Sequence, residues 1–296
     1  MSSVAGTSSH LSDMTGRTAV ITGGNSGIGK ATAEALARLG ARVVITSRDP
    51  DRGAAAVSDI RRASGNDTVS CVPLDLSRLA SVRACATDLL DRLDEIHVLD
   101  LNAGGVLSRR IVTEDGFETQ FQANHLGHFL LSQLLLDRLR ASAPARIVVV
   151  SSWGHTQARG GLDFNDLQWV ARPYRGSFVY SASKLMNLYF TFELARRLAD
   201  TGVTVNALHP GFVASGFAMS GDTGWLRLGI IVGRPFARSP KKGAATAVWL
   251  AASDDVTGVT GGYFADSRAK EPSADARDAD AARRLWEVSE ELAGLG

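Results

Sequence analysis

Thr22-Gly-Gly-Asn-Ser-Gly-Ile-Gly29 separates a short apolar run, Thr18–Thr22, from a helical pattern over Gly29–Leu39 that Gly40 ends. A glycine-rich turn that follows a strand and opens a helix is the setting in which a dinucleotide pyrophosphate binds. Gly23 permits the tight turn, Gly27 lets backbone approach the phosphates, and Gly29 lets helix and strand pack closely. The helix N-terminus then offers free N–H groups and the positive end of its dipole. Three residues lie between Gly23 and Gly27, where G-x-G-x-x-G has one between its first two glycines.

Outward from this turn, strand and helix patterns alternate. β-rich runs fall at Arg42–Thr46, Val69–Leu74, Ile96–Leu101, Arg146–Ser151, Val203–Leu208 and Tyr263–Phe264. Helical patterns fall at about 51–63, 77–93, 114–140, 176–200, 243–252 and 276–293. Such alternation predicts βαβ units, hence a parallel sheet with helices on both faces. The run Arg146-Ile-Val-Val-Val150 reads as a central strand covered on both sides. Residues 1–13 are polar and small and read as a flexible tail. Residues 14–296 read as one large α/β domain.

The chain has 296 residues, 45% hydrophobic and 21% charged, enough for one large core. Its net charge is +1 with no concentrated basic stretch, which argues against nucleic acid or anionic membrane as partner. Two cysteines, Cys71 and Cys85, form no disulfide framework and fit a reducing compartment. No secretory leader and no spanning apolar run is read, so the expected location is cytoplasmic. His125, His128 and His155 lack metal-ligand spacing, and no metal is expected.

The chemistry concentrates at Tyr180-Ser-Ala-Ser-Lys184. Positions four apart share a helix face, so an ammonium lies near a phenol and favours phenolate, below the usual pKa of roughly 10. Ser152, at the end of the fifth strand, supplies a hydroxyl. Tyr180 would exchange a proton with a carbonyl or alcohol oxygen while Ser152 hydrogen-bonds that oxygen. After the second strand stand Ser47 and Arg48, where readers of NAD place an acidic residue. Arginine there suits a 2′-phosphate, so NADP(H) is expected over NAD(H), with Asp49 as the counter-argument. Asp75, past the third strand, reads equally as an adenine contact or a helix cap.

These residues resemble the short-chain dehydrogenase/reductase family over about residues 15–295. The resemblance rests on Thr22–Gly29, Asn102-Ala-Gly104, Asn124 in Phe121-Gln-Ala-Asn-His-Leu-Gly127, Ser151-Ser152, Tyr180–Lys184 and His209-Pro-Gly211, in that order. Asn-His-Leu-Gly-His-Phe-Leu at 124–130, Ser239-Pro-x-x-Gly-Ala at 239–244 and Leu285-Trp-Glu-Val-Ser-Glu-Glu-Leu292 look like its retinol-dehydrogenase-like branch. The resemblance implies a Rossmann-type, doubly wound α/β fold with a seven-stranded parallel sheet and no separate substrate domain. It implies a tetrad of Asn124, Ser152, Tyr180 and Lys184, with Asn124 holding a water that links Lys184 to solvent. Lys184 would also bond the nicotinamide ribose. The implied cofactor contacts are Gly23, Asn25, Ser26, Gly27, Ile28, Gly29, Ser47, Arg48, Asp75, Leu76, Asn102, Ala103, Gly104, Tyr180, Lys184, Pro210, Gly211, Val213 and Ser215. It implies a homo-oligomer, dimer or tetramer, paired through the helices of Asn124 and Tyr180.

On the substrate side, residues 212–240 combine Phe212, Phe217 and Trp225 with several glycines. They read as a lid for a bulky apolar small molecule. Trp153, His155 and Tyr174 are further wall candidates. An NADP-retaining epimerase or dehydratase, or a non-catalytic NADP sensor, is the alternative. Asp100 departs from the pattern, because a carboxylate in a central strand is costly unless paired.

Overall fold

A computed structural model describes residues 11–213 and 237–296. Eight strands form one sheet: β1 (Thr18–Ile21), β2 (Arg42–Ser47), β3 (Val69–Pro73), β4 (Val98–Leu101), β5 (Ala145–Val150), β6 (Val203–Leu208), β7 (Tyr263–Ala265) and β8 (Arg268–Ala269). Their order is β3-β2-β1-β4-β5-β6-β7-β8. The seven strands expected from the resemblance run parallel. β8 adds a two-residue antiparallel edge against β7. The order reverses at β1 and β4, and ligands bind such sheets beyond the strand ends at that reversal.

Helices α1 (Gly27–Arg38), α2 (Pro50–Ser64), α3 (Leu79–Arg92), α4 (Thr119–Phe121), α5 (Gly127–Ala141), α6 (Gly176–Arg197), α7 (Pro240–Ala252) and α8 (Ala279–Leu292) cover the sheet. One core lies against α3, α5, α6 and α8 and contains Leu89, Leu130, Leu188 and Trp286. The other lies against α1, α2 and α7 and contains Leu36, Ile60 and Leu250. Strands with a core on each face explain the near-continuous apolar runs of β1 and β5.

α8 is the amphipathic element that completes the first core. Trp286 stacks on Phe190 at 6.2 Å and meets Phe129 edge-on at 4.9 Å. His125 Nε2–H donates to Ser289 Oγ at 2.8 Å, because that hydroxyl gives its own proton to Leu285 O. α8 therefore packs along α6 and reaches α5 through Trp286, and α6 is buried on nearly every side.

Two boundaries differ from expectation. Leu11–Asp13, assigned to the tail, are held: Leu11 bridges Ser253, and Ser12 N–H donates to Ala252 O at 2.8 Å. Residues 1–10 lie outside the described residues. The helical patterns read over about 114–140 resolve into a turn, α4, a π-helical segment Gln122–Leu126 and α5. The Glu118 carboxylate starts α4 by accepting from Gln120 N–H at 3.0 Å and Phe121 N–H at 2.7 Å. Local apolar spacing does not reveal that cap.

Candidate active site

The turn after β1 has left-handed backbone at Gly23 and Gly27, with φ of 66° and 56°. At Gly29 a Cβ would lie 2.4 Å from Asn102 Nδ2 and 2.7 Å from Gly23 O, so a side chain would wedge helix from turn. Ser26 is the extended residue before α1 and makes no side-chain cap. Asn25 and Ser26 keep exposure above the turn. Uncapped N–H groups over a glycine cradle fit the pyrophosphate of a dinucleotide.

Thr22 ties this turn to the one after β4. Its hydroxyl accepts from Asn102 N–H at 2.9 Å and Ala103 N–H at 3.0 Å. Asn102 Nδ2 donates back to Thr22 O at 2.9 Å. His128 Nδ1 faces Asn124 O, which can only accept, so Nδ1 carries the proton and Nε2 accepts from Thr22 Oγ at 3.0 Å. Burial pushes His128 down to about 3 and keeps it neutral.

Beside β2, Ser47 Oγ donates to Asp49 O at 2.7 Å, and the Asp49 carboxylate caps α2 by accepting from Arg52 N–H at 3.1 Å. Arg48 is exposed and unpaired among the described residues. Asp75 holds a turn, accepting from Ser77 N–H at 3.0 Å and Ser77 Oγ–H at 2.6 Å. Leu76 is buried against the start of α5, where a Cβ at Gly127 would lie 2.7 Å from Leu76 O. Past β6, Gly211 N–H donates to His209 Nδ1 at 3.2 Å across Pro210. Ile28 and Val213 converge at Gly243, where a Cβ would lie 3.3 Å from one and 2.6 Å from the other.

The proposed tetrad is assembled by α6, β5 and the π segment. Lys184 Nζ donates to Val150 O at 3.0 Å, and Asn187 Nδ2 to the same carbonyl at 3.2 Å. Ser151 Oγ donates to Lys184 O at 2.8 Å, fastening α6 to the end of β5. One turn earlier, the Tyr180 hydroxyl is hydrogen-bonded to the Ser152 side chain. Lys184 Nζ lies 5.6 Å from the Tyr180 ring centroid. Ser152 Oγ also accepts from Gly154 N–H at 3.0 Å. Asn124 lies in the π segment, an irregularity common at functional sites. Its Oδ1 accepts from Gly105 N–H at 2.9 Å, and its Nδ2 donates to Gly105 O at 2.9 Å and Ser183 Oγ at 3.0 Å. Ser183 Oγ donates on to Tyr180 O at 2.7 Å. A Cβ at Gly104 would lie 3.1 Å from Asn124 Oδ1 and 3.5 Å from Lys184 Nζ, so the three meet at one point.

The electrostatics correct one expectation. Tyr180 stands above its ordinary value: burial pushes it up to about 12, and the Ser152 bond pulls the other way. Burial also disfavours the Lys184 ammonium and brings it down to about 8. Desolvation therefore dominates at the phenol, which is held protonated at neutral pH.

Two expected wall residues are committed elsewhere. Tyr174 Oη donates to Glu118 Oε1 at 2.9 Å and accepts from Gln120 Nε2 at 2.6 Å. His155 is buried with both ring nitrogens bonded to backbone. Both answer a need of the fold for buried polar partners. Trp153 and Phe212 expose large rings, as walls of an open cleft would. Ser215, Phe217, Trp225 and most of the expected lid lie outside the described residues. Sequence reasoning missed Thr22 as a hub, and Ser183 and Asn187 as clamps. A signal existed for Asn187, which follows Lys184 by three on the same helix face. Among the described residues no group of three or more His, Cys, Asp or Glu is placed to hold a metal.

Residues 17–162 and 170–223 match the family model described as short chain dehydrogenase. The chain is 44% identical to human retinol dehydrogenase 14, covering 95% of this chain and 88% of that protein. It is 46% identical to dehydrogenase/reductase SDR family member 13 of Bos taurus, covering 97% and 75%. An uncharacterized protein from Mycobacterium paratuberculosis superposes with a TM-score of 0.77 at 36% identity, covering 96% of each chain. A Pseudomonas aeruginosa RhlG complex with NADP in its active site superposes with a TM-score of 0.67 at 27% identity, covering 85% and 95%.

Proposed function

The chain belongs to the short-chain dehydrogenase family, and we propose that it interconverts a bulky apolar aldehyde or ketone and its alcohol with NADP(H). The observation that carries this reading is the Tyr180–Ser152 hydrogen bond beside Lys184. A bound nicotinamide would supply the hydride donor or acceptor. The glycine turn, the open start of α1 and Lys184 would hold and orient it. Ser152 donates to the substrate oxygen and stabilises the charge that develops there. Tyr180, protonated at neutral pH, gives its proton to that oxygen in reduction and takes it back in oxidation. Asn124 and Ser183 keep α6 in register with the turn after β4.

Arg48 supports the choice of NADP(H). Asp49 caps α2 by accepting from Arg52 N–H, which weakens the counter-argument it offers. Replacing Arg48 with aspartate is expected to lower the NADPH-to-NADH affinity ratio by about 10- to 100-fold, the range of one or two charge-assisted hydrogen bonds. Fluorescence titration with each nucleotide reads that ratio, and an unchanged value would remove the 2′-phosphate assignment. The apolar substrate class rests on the exposed rings of Trp153 and Phe212 and on the names of the retinol dehydrogenase relatives. NADPH consumption with a series of apolar aldehydes tests it. Substrate conversion without net change in nicotinamide absorbance would instead mean epimerase or dehydratase chemistry.

A cytoplasmic setting rests on the unpaired thiols Cys71 and Cys85. No helix among the described residues is long and apolar enough to cross a membrane. For assembly the reading remains a homo-oligomer.

A further inference from the structure

His155 is a buried ring, 2% exposed, for which the hydride-transfer reading leaves no task. It sits in the short 3-10 turn Trp153–Gln157 that follows Ser152. Its Nδ1 lies 2.7 Å from Ser152 O, and Ser273 N–H donates to its Nε2 at 3.1 Å. A carbonyl can only accept and an amide N–H can only donate, so Nδ1 carries the proton and Nε2 is bare. One neutral tautomer satisfies both contacts. A charged ring would set two donors face to face at Ser273. Burial, which lowers the His155 pKa, works toward the same neutral form.

The partner segment is itself anchored. Lys270 N–H donates to Tyr263 O at 2.8 Å, and Tyr189 Oη on α6 donates to Asp275 O at 2.9 Å. The Tyr263 ring meets His155 edge-on at 5.2 Å. The segment after β8 is therefore pinned to the sheet and to the helix that carries Tyr180. His155 extends that pinning to the backbone of Ser152, whose hydroxyl is in turn aimed by Gly154 N–H at 3.0 Å.

We propose that His155 is a positioning residue that braces Ser152 against the segment after β8, holding the serine hydroxyl at Tyr180. The proposal rests on the carbonyl-reduction reading for its kinetic consequence, not for its geometry. The C-terminal segment then contributes to the site without touching substrate. A shift of the serine by a fraction of an ångström weakens the hydrogen bond to the reacting oxygen, which lowers kcat more than binding.

The test is a double-mutant cycle on NADPH oxidation with decanal as probe. His155→Ala is expected to lower kcat about 10-fold with NADPH affinity unchanged. In a Ser152→Ala background it should cost less than about 2-fold, because the group it acts through is gone. His155→Asn, whose amide can still donate to Ser152 O, should recover most of the loss. Equal losses in both backgrounds would overturn the proposal, since His155 would then act on the fold at large. Imidazole nitrogen shifts of the wild-type protein provide a readout that needs neither a variant nor turnover. A neutral ring protonated at Nδ1 supports the brace, and the other tautomer or a charged ring overturns it. If wild type oxidises no NADPH with any aldehyde, the reduction reading fails, and the nitrogen shifts still decide the brace.

Discussion

Tyr180→Phe is expected to lower turnover by about 10²- to 10⁴-fold, the usual contribution of a positioned acid or base. NADPH affinity should stay within about 2-fold of wild type. The variant keeps the ring, its packing and its contact with Lys184 at 5.6 Å, and removes only the hydroxyl bonded to Ser152. Of the other tetrad members, Lys184 and Asn124 already hold protein partners. The Lys184 ammonium is turned to Val150 O, and the Asn124 amide is spent on Gly105 and Ser183. Single-turnover kinetics with saturating NADPH isolates the chemical step. Turnover within a few-fold of wild type would end the acid–base assignment. A loss of NADPH affinity as large as the loss in kcat would show that the phenol serves cofactor binding instead. Ser152→Ala should keep the proton donor and cost about 10²- to 10³-fold, as removal of one donor to a developing oxyanion does elsewhere.

Much of this site was legible in the sequence because its signals are local. The turn Thr22–Gly29 and the pair Tyr180 and Lys184 each lie within one strand-to-helix junction or one helical turn, where spacing alone fixes which groups meet. The alternation of strands and helices likewise follows from apolar periodicity. What escaped depends on contacts between distant segments. Thr22 meets Asn102 across 80 residues, His155 meets Ser273 across 118, and Tyr174 meets Glu118 across 56. No local pattern marks these partners. The π-helical segment around Asn124 escaped for a related reason: a one-residue widening does not disturb apolar periodicity enough to be read. The Tyr180 pKa went the wrong way because a sequence shows the neighbouring ammonium but not the burial that outweighs it.

Asp100 carries the second large effect, and it should appear in stability against pH. The residue sits in β4, in register with Ile21 and Val148, and is 1% exposed. Neither carboxyl oxygen has a hydrogen-bond partner among the described residues. The strand places it neither beside a partner nor at an open end. Alternation along β4 turns it, with Val98, toward the core under α1 and α7. Burial pushes its pKa up to about 8 from 3.8. Between those values the unfolded chain has released the proton and the fold still holds it. Stability therefore falls as pH rises, by about 1.4 kcal/mol per pH unit. His125 and His128 act oppositely, since burial brings both down to about 3 and the unfolded chain binds their protons first. Two histidines outweigh one carboxyl up to their ordinary value of 6.5, so total stability rises to about that pH. Above it the Asp100 slope stands against no histidine, and stability should decline toward pH 8. Asp100→Asn keeps the shape and cannot ionise, so the difference between variant and wild type cancels the histidines. That difference should be near zero at pH 4 and should grow to roughly 4 kcal/mol in favour of the variant at pH 7. Urea unfolding at a series of pH values measures it. A difference that stays flat from pH 4 to 8 would mean that Asp100 is ionised in the fold, with a partner for its charge.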